Sequence, residues 1–447
     1  MVNSLINRVT TEAGSGFKSN STVPKITIRP VEPHTEISSS ETTDKKLFEF
    51  RPTDITQKLP EAVAILHIYP HGSENYSVQG YINSVNQFNT PERGEIQDKI
   101  PTEPTWFPEL LVTKPAQRPD LSLGNLAKSK GLQSKEILYR ISTFSKPHNK
   151  LRKWLKNLHD EFQKRGKQPY LVIVDYTDFE IPWEMLELSP DEGNYQYLGA
   201  LYTAIRWQYV IRGDDPLPLE TQPDYCSGST IAYVTPEELK GIEQEIDILQ
   251  HLNSVIYKAH QTSEFQKCLR QENNDCCLVY MSCHGGFNSD NIAYATLGSA
   301  HDPQQQVMLM DLQHIRPLKL LHNSQGIVFI NACNSGRVHE YSPICHHYQL
   351  GFVELFLAQG CRGVLATLGE VGQERAAEMG QAFIETFSYQ TDSPPSIADW
   401  LRQMRLQAIE SLSDERSPKE LCRLIWTFMY VYYGNPRTVL QLRKRQG

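Results

Sequence analysis

From residue 151 onward, the apolar positions fall into two alternating patterns. Leu151, Trp154, Leu155, Leu158 and Phe162 recur at helical spacing and predict an amphipathic helix. Residues 170–174 then form a short unbroken apolar run, the pattern of a strand buried on both faces in a parallel sheet. Similar runs at 231–234, 254–257, 277–281, 326–330 and 363–368 predict further strands, and residues 425–433 read as a closing strand. Helices are predicted over about 237–252, 349–358, 374–387 and 397–412. Gly360 stands where a helix C-cap favours glycine. Strands alternating with helices imply an α/β fold: a mainly parallel sheet flanked by helices on both faces, with sites at the carboxyl ends of the strands.

The first 150 residues are less regular. Residues 62–69 have the weight of a strand, His71-Gly72 marks a turn, and residues 76–82 alternate like a returning strand. Pro91, Pro101, Pro104, Pro108, Pro115 and Pro119 then interrupt the chain. Residues 46–150 are therefore expected to form a small β-rich hairpin and a proline-rich connector. Residues 1–45, polar and rich in Ser and Thr, are expected to be a flexible leader. Residues 151–447 make the remaining domain. No 34-residue self-similarity occurs in residues 1–150.

Composition narrows the picture. Of 447 residues, 39% are hydrophobic and 21% charged, enough to bury a sizeable core. A net charge of −8 argues against a broad nucleic-acid or anionic-membrane surface. No apolar run is long enough to span a bilayer. Nine cysteines with no apolar leader read as free thiols in a reducing cytoplasm.

Two strand ends carry chemistry. One runs Leu278-Val279-Tyr280-Met281-Ser282-Cys283-His284-Gly285-Gly286-Phe287; the other runs Ile327-Val328-Phe329-Ile330-Asn331-Ala332-Cys333-Asn334-Ser335-Gly336. His284 and Cys333 lie 49 positions apart, close to the roughly 50-residue histidine-to-cysteine separation of caspases. A thiol is only a few per cent thiolate at neutral pH; a nearby imidazole raises that fraction and later protonates the leaving amine. Backbone N–H groups of Gly285 and Cys333 are candidate donors to the developing oxyanion. No metal or other cofactor is implied.

These residues resemble the CHAT family of caspase-like domains, related to separase and often found beside TPR repeats. Five ordered blocks carry the resemblance: Ile181-Pro182-Trp183-Glu184-Met185-Leu186, His284-Gly285-Gly286-Phe287, Asn331-Ala332-Cys333-Asn334-Ser335-Gly336, the stretch from Gly360 to Leu368, and Tyr432-Tyr433-Gly434-Asn435-Pro436. The resemblance implies a cysteine endopeptidase with His284 as general acid–base and Cys333 as nucleophile. It would cut one or a few protein partners, in bacterial defence or regulated cell death. A sensor or regulatory partner is expected to act through the N-terminal region. Gly369 replaces the family's usual tryptophan, which changes the adjacent substrate loop. Asp175 and Glu370 are the candidate pocket carboxylates for a basic P1 side chain, with an apolar P1 the alternative.

Other readings stand beside these. Cys333 alone would read as a core thiol, and Cys283 is a rival nucleophile that strand alternation turns toward the opposite layer. Cys276, Cys277, Cys283, Cys345, His346 and His347 lack the paired spacing of a zinc site. Glu184 reads as a structural tie. The acidic run Glu237-Glu238-Leu239-Lys240-Gly241-Ile242-Glu243-Gln244-Glu245 reads as a solvated helix face begun at Thr235-Pro236. His67, His71, His301, His314 and His322 read as surface or packing residues. No phosphate-binding glycine loop is present. A degenerate protease fold serving as a scaffold is the non-enzymatic alternative.

Overall fold

The computed structural model describes residues 63–70, 75–82, 96–101, 138–139, 142–177, 181–189, 196–207, 210–212, 215–217, 219–220, 222–288, 291–314, 318–320, 326–340, 349–388, 394–413 and 416–445. The leader expected over residues 1–45 and most of the connector lie outside them, as do His71, His322, Cys345, His346 and His347.

The strands used below are β1 (Val63–Pro70), β2 (Asn75–Ile82), β3 (Ile96–Pro101), β4 (Tyr170–Asp175), β5 (Thr203–Trp207), β6 (Asp224–Val234) and β7 (Ser254–Lys258). They continue with β8 (Cys276–Ser282), β9 (His284–Gly286), β10 (Thr296–Gly298), β11 (Gln306–Met308), β12 (Ile327–Asn331), β13 (Gly363–Thr367), β14 (Tyr430–Gly434) and β15 (Thr438–Leu442). The helices are α1 (Asn149–Lys164), α2 (Ile242–Gln250), α3 (Thr262–Leu269), α4 (Phe352–Ala358), α5 (Gln373–Ser388), α6 (Ile397–Glu410) and α7 (Pro418–Met429).

One large sheet organises the molecule, in the order β15-β6-β8-β12-β13-β14-β5-β4-β1-β2-β3, with β7 also paired to β6. The strands β15, β6, β7, β8, β12 and β13 are mutually parallel. Every residue of β8 and β12 is buried, as central parallel strands require. β14 is antiparallel to β13 and parallel to β5, and β5, β4 and β1 are parallel to one another. The sheet therefore has two halves whose parallel strands run in opposite directions, with β14 as the seam. A separate antiparallel sheet, β9-β10-β11, stands beyond the end of β8.

The hairpin expected near residues 62–82 forms as β1 and β2. β1 lies between β2 and β4 in the main sheet. Its Ala64, Leu66 and Ile68 join Leu151, Trp154, Leu155, Leu158 and Phe162 of α1 in one apolar core. A second core underlies both halves. Among the described residues no helix is long and apolar enough to cross a membrane.

Two sequence expectations are corrected. Residues 425–433 are not one strand: the run is the last turn of α7 followed by β14. An unbroken apolar run of this length fits a fully buried helix end as well as a strand. The missed signal was Ser417-Pro418-Lys419-Glu420, where Ser417 and Glu420 form a reciprocal capping box with proline in the first turn. The helix expected from residue 237 begins at Ile242, because residues 236–241 form a turn that ends on Gly241 at φ +82°.

Candidate active site

Parallel pairing sets the geometry of the candidate site. The last paired residues of β8 and β12 are Ser282 and Asn331, opposite each other. His284 and Cys333 each stand two positions further along the chain from that facing pair. The backbone of Gly285 lies against that of Cys333: a Cβ on Gly285 would fall 1.9 Å from the Cys333 carbonyl oxygen. Only glycine permits this approach.

The turn after Cys333 is tied to β13. Asn334 takes a left-handed conformation at φ +59°, which asparagine tolerates better than most residues, and its N–H donates to Gly369 O at 3.0 Å. Gly336 N–H donates to Thr367 O at 2.7 Å, and Thr367 Oγ1 donates to Ala332 O at 2.6 Å. The histidine loop is joined to this turn by Arg337, whose guanidinium lies 3.5 Å from the centre of the Phe287 ring.

The sulfur of Cys333 faces Val371. It receives the Val371 N–H at 3.4 Å and approaches Val371 O at 3.6 Å. Burial pushes the thiol up to about 11, with the Glu370 charge adding to the rise and the Val371 N–H opposing it. Sulfur and imidazole share no hydrogen bond in this arrangement. Gly372 is fitted under Trp426, whose ring would meet a Cβ there at 2.5 Å, so the segment holding the thiol rests on α7. Cys283 is buried, and that burial raises its thiol far above the usual value.

The histidine has a partner that the sequence did not reveal. His284 Nε2 lies 3.3 Å from Glu238 Oε2, with the two side chains 31% and 18% exposed. Desolvation lowers the imidazole pKa from its ordinary value, Glu238 works against that, and His301 adds to it. Partial burial disfavours the Glu238 charge. The bonds from Ser299 and Ala300 and the nearby His284 and His301 outweigh it, so this carboxyl sits below its ordinary value. The reading of the acidic run as a solvated face thus fails at Glu238.

It fails at Glu245 as well. This buried carboxyl accepts from Tyr280 Oη at 2.5 Å. Asn331 Nδ2 contacts the same hydroxyl at 3.4 Å and donates to Ala376 O at 2.9 Å, and Tyr430 Oη donates to Asn331 Oδ1 at 2.7 Å. Gly380 of α5 makes room, since a Cβ there would sit 2.2 Å from Tyr280 Oη. A polar cluster therefore pins the ends of the two strands that precede His284 and Cys333. Burial raises Glu245 to about 7.

The two candidate pocket acids are separated. Glu370 adjoins Val371, close enough to act on the Cys333 thiol. Asp175 ends β4, in the half of the sheet that runs the other way. It lines a cavity with Arg206, Trp207, Gly336, Arg337 and Tyr433, a lining that includes none of Cys333, His284 and Glu370. Its Oδ1 accepts from Thr177 N–H and Oγ1, and its Oδ2 from Trp183 Nε1 at 2.8 Å. Burial raises its pKa, against the pull of those bonds. Glu184 is a structural tie, joined to Arg206 at 2.9 and 2.7 Å. No group of three or more residues suited to a metal occurs among the described residues.

A mostly parallel sheet flanked by helices, with a histidine and a cysteine past the ends of neighbouring strands, defines a caspase-like protease fold. The CHAT domain model matches residues 145–435, and the chain belongs to the CHAT family. Among solved structures, it is similar to a chain of the Saccharomyces cerevisiae separase–securin complex. That pair is 10% identical with a TM-score of 0.44, covering 86% of this chain and 31% of the other. The chain thus spans about a third of that relative. It is also similar to the complex of Porphyromonas gingivalis RgpB pro- and mature domains, at 12% identity and TM-score 0.41, covering 65% of this chain and 70% of the other. The Arg specific cysteine proteinase gingipain R matches at 12% identity and TM-score 0.38, over 65% and 68% of the two chains. No curated protein matches.

Proposed function

We propose that the chain is a cysteine endopeptidase that cuts one or a few protein substrates. The observation that carries this reading is the equivalent placement of His284 and Cys333, each two residues beyond the facing pair Ser282 and Asn331. In the reaction, His284 takes the Cys333 proton and the thiolate adds to the scissile carbonyl. Gly285 and Cys333 N–H groups receive the oxyanion. As the C–N bond breaks, the imidazolium returns its proton to the leaving amine, and water then hydrolyses the thioester.

The resting arrangement supports a regulated enzyme. While Val371 holds the sulfur, the thiol is buried and its pKa is high. Activation moves the 369–372 segment and turns the sulfur to His284. A sensor or partner protein in the cytoplasm supplies that trigger through the N-terminal region, in defence or regulated cell death. Glu370, carried on the segment that moves, is the better placed of the two acids to meet a basic P1 side chain.

A peptide library incubated with the chain, alone and in host lysate, tests the activity. Cleavage by the parent and none by Cys333→Ala is the expected result; equal cleavage by both refutes the assignment. The scaffold reading draws on the same held thiol. It gains ground if an electrophilic peptide probe fails to label Cys333 under every condition that the full-length protein's partners provide.

A further inference from the structure

Glu238 reaches His284 through a fixed arrangement. It projects from the turn between β6 and α2, and the chain after β10 grips it: Ser299 Oγ donates to Oε1, and Ala300 N–H donates to Oε2 at 2.7 Å. That gripping segment follows directly on the small sheet that holds the histidine, because His284 in β9 pairs with Gly298, the last residue of β10. Gly298 at φ +140° lets the chain turn there, in a conformation that glycine alone adopts easily. One short sheet therefore fixes the histidine backbone, and the two residues after its middle strand fix the carboxylate facing the ring. Oε2 accepts the Ala300 N–H and faces Nε2 of His284.

From this arrangement we infer that Glu238 is a positioning residue for His284, held in place by Ser299 and Ala300, which fixes the imidazole with Nε2–H toward the carboxylate and Nδ1 free to take the Cys333 proton. The inference rests on the His284–Cys333 reading. A carboxylate on one ring nitrogen sets the tautomer and favours the imidazolium that forms when the thiol ionises. The charged groups that face the imidazole are Glu238 and His301. Glu238 favours the imidazolium and His301 opposes it.

The test needs no substrate. The Cys333 thiolate displaces iodide from iodoacetamide, and mass spectrometry of the full chain gives the rate at Cys333 from pH 5 to 10. The parent is compared with H284A, E238Q, E238D and S299A, with urea unfolding run on each to confirm folding. An opposite charge within 4–6 Å shifts a pKa by about one unit or more, so E238Q is expected to lower the rate near pH 7 about tenfold. E238D, which keeps the charge on a shorter arm, recovers part of the loss, and S299A falls between the parent and E238Q. A profile altered by H284A and identical in E238Q and the parent overturns this inference alone. The rates are read both on the chain alone and in host lysate, where the trigger frees the sulfur; a profile that H284A leaves unchanged in both overturns the dyad and this inference with it. Equal slowing in E238Q and E238D, with unfolding midpoints lowered to match, marks Glu238 as structural and also overturns it.

Discussion

Each half of the sheet carries polar groups at or just past some of its strand ends, Ser282 and Asn331 with His284 and Cys333 beyond them in one and Asp175 in the other, and the two sets are held differently. In the half containing β8 and β12, the residues past the strand ends face one another across glycine-lined backbone. Their side-chain partners, Val371 and Glu238, come from loops. In the half containing β4 and β5, Asp175 accepts from Thr177 and Trp183, and Arg206 is paired with Glu184. Fixed bonds of this kind leave a carboxylate little to offer a ligand. Polarity at a strand end marks a place for chemistry, and the local hydrogen bonds decide whether that place is used.

The largest effect expected from breaking this contrast is at Cys333. Cys333→Ala should abolish peptide cleavage, a loss on the order of 10⁶-fold where nucleophile and base act as a unit, and should move the unfolding midpoint little. The mirror-image change is Glu184→Gln in the other half. It leaves the Arg206 guanidinium buried with its charge uncompensated, at a cost of about 3–5 kcal/mol in denaturant unfolding. Alkylation of Cys333 in the folded variant should stay close to the parent's rate. A large change in that rate would show that the buried ion pair supports the site directly.

The same contrast explains what the sequence made legible. The short apolar runs at 277–281 and 326–330 each stop at a polar residue followed by small residues, so His284 and Cys333 stood out by pattern and spacing. β5 was missed because Arg206 interrupts its apolar run, and that residue is tolerated inside through Glu184, 22 positions away in the chain, and the Ile181 carbonyl. Glu238 and Glu245 were hidden in a polar run. Periodicity separates faces, whereas their roles come from partners distant in sequence: Ser299 for one, Tyr280 for the other. An acidic residue followed within a few positions by a glycine at positive φ, as at Glu238 and Gly241, was the available hint that the helix had not yet begun.

Acid and base should pull the halves in opposite directions. Burial lowers His67 and His148 to about 4, and His148 is kept neutral between Tyr76 Oη at 2.5 Å and Phe144 O at 2.9 Å. The unfolded chain protonates these rings near 6.5, so each contributes stability above that pH that is lost as pH falls from 6.5 toward 4, about 3 kcal/mol at full extent. Glu245, raised to about 7, behaves in reverse: its contribution is complete below the ordinary carboxylate pKa and is lost as pH rises through 7. Hydrogen exchange corrected for intrinsic rates should show β1 and β2 opening before β8 and β12 at pH 5. Glu245→Gln should remove that opposing contribution, so that stability rises more steeply between pH 5 and 7 than in the parent. Simultaneous opening of all four strands at pH 5 would contradict the separation.

The smallest expected effect lies at the seam, and it asks how separate the halves are. Tyr433 belongs to β14, pairs with Arg206 of β5, and donates its hydroxyl to Gly336 O at 3.3 Å in the turn after Cys333. It therefore touches the second half through its backbone and the Cys333 turn through its side chain. Tyr433→Phe keeps the ring and removes that hydrogen bond, a loss of about 1 kcal/mol. If the turn is held mainly by Thr367 and Ala332, the variant unfolds slightly earlier and Cys333 alkylates at the parent's rate. If the seam transmits order from the second half, alkylation at Cys333 becomes severalfold faster, because a loosened turn exposes the sulfur that Val371 holds. The first result would make the halves energetically independent neighbours. The second would make β14 the path by which events at the N-terminal strands reach the nucleophile.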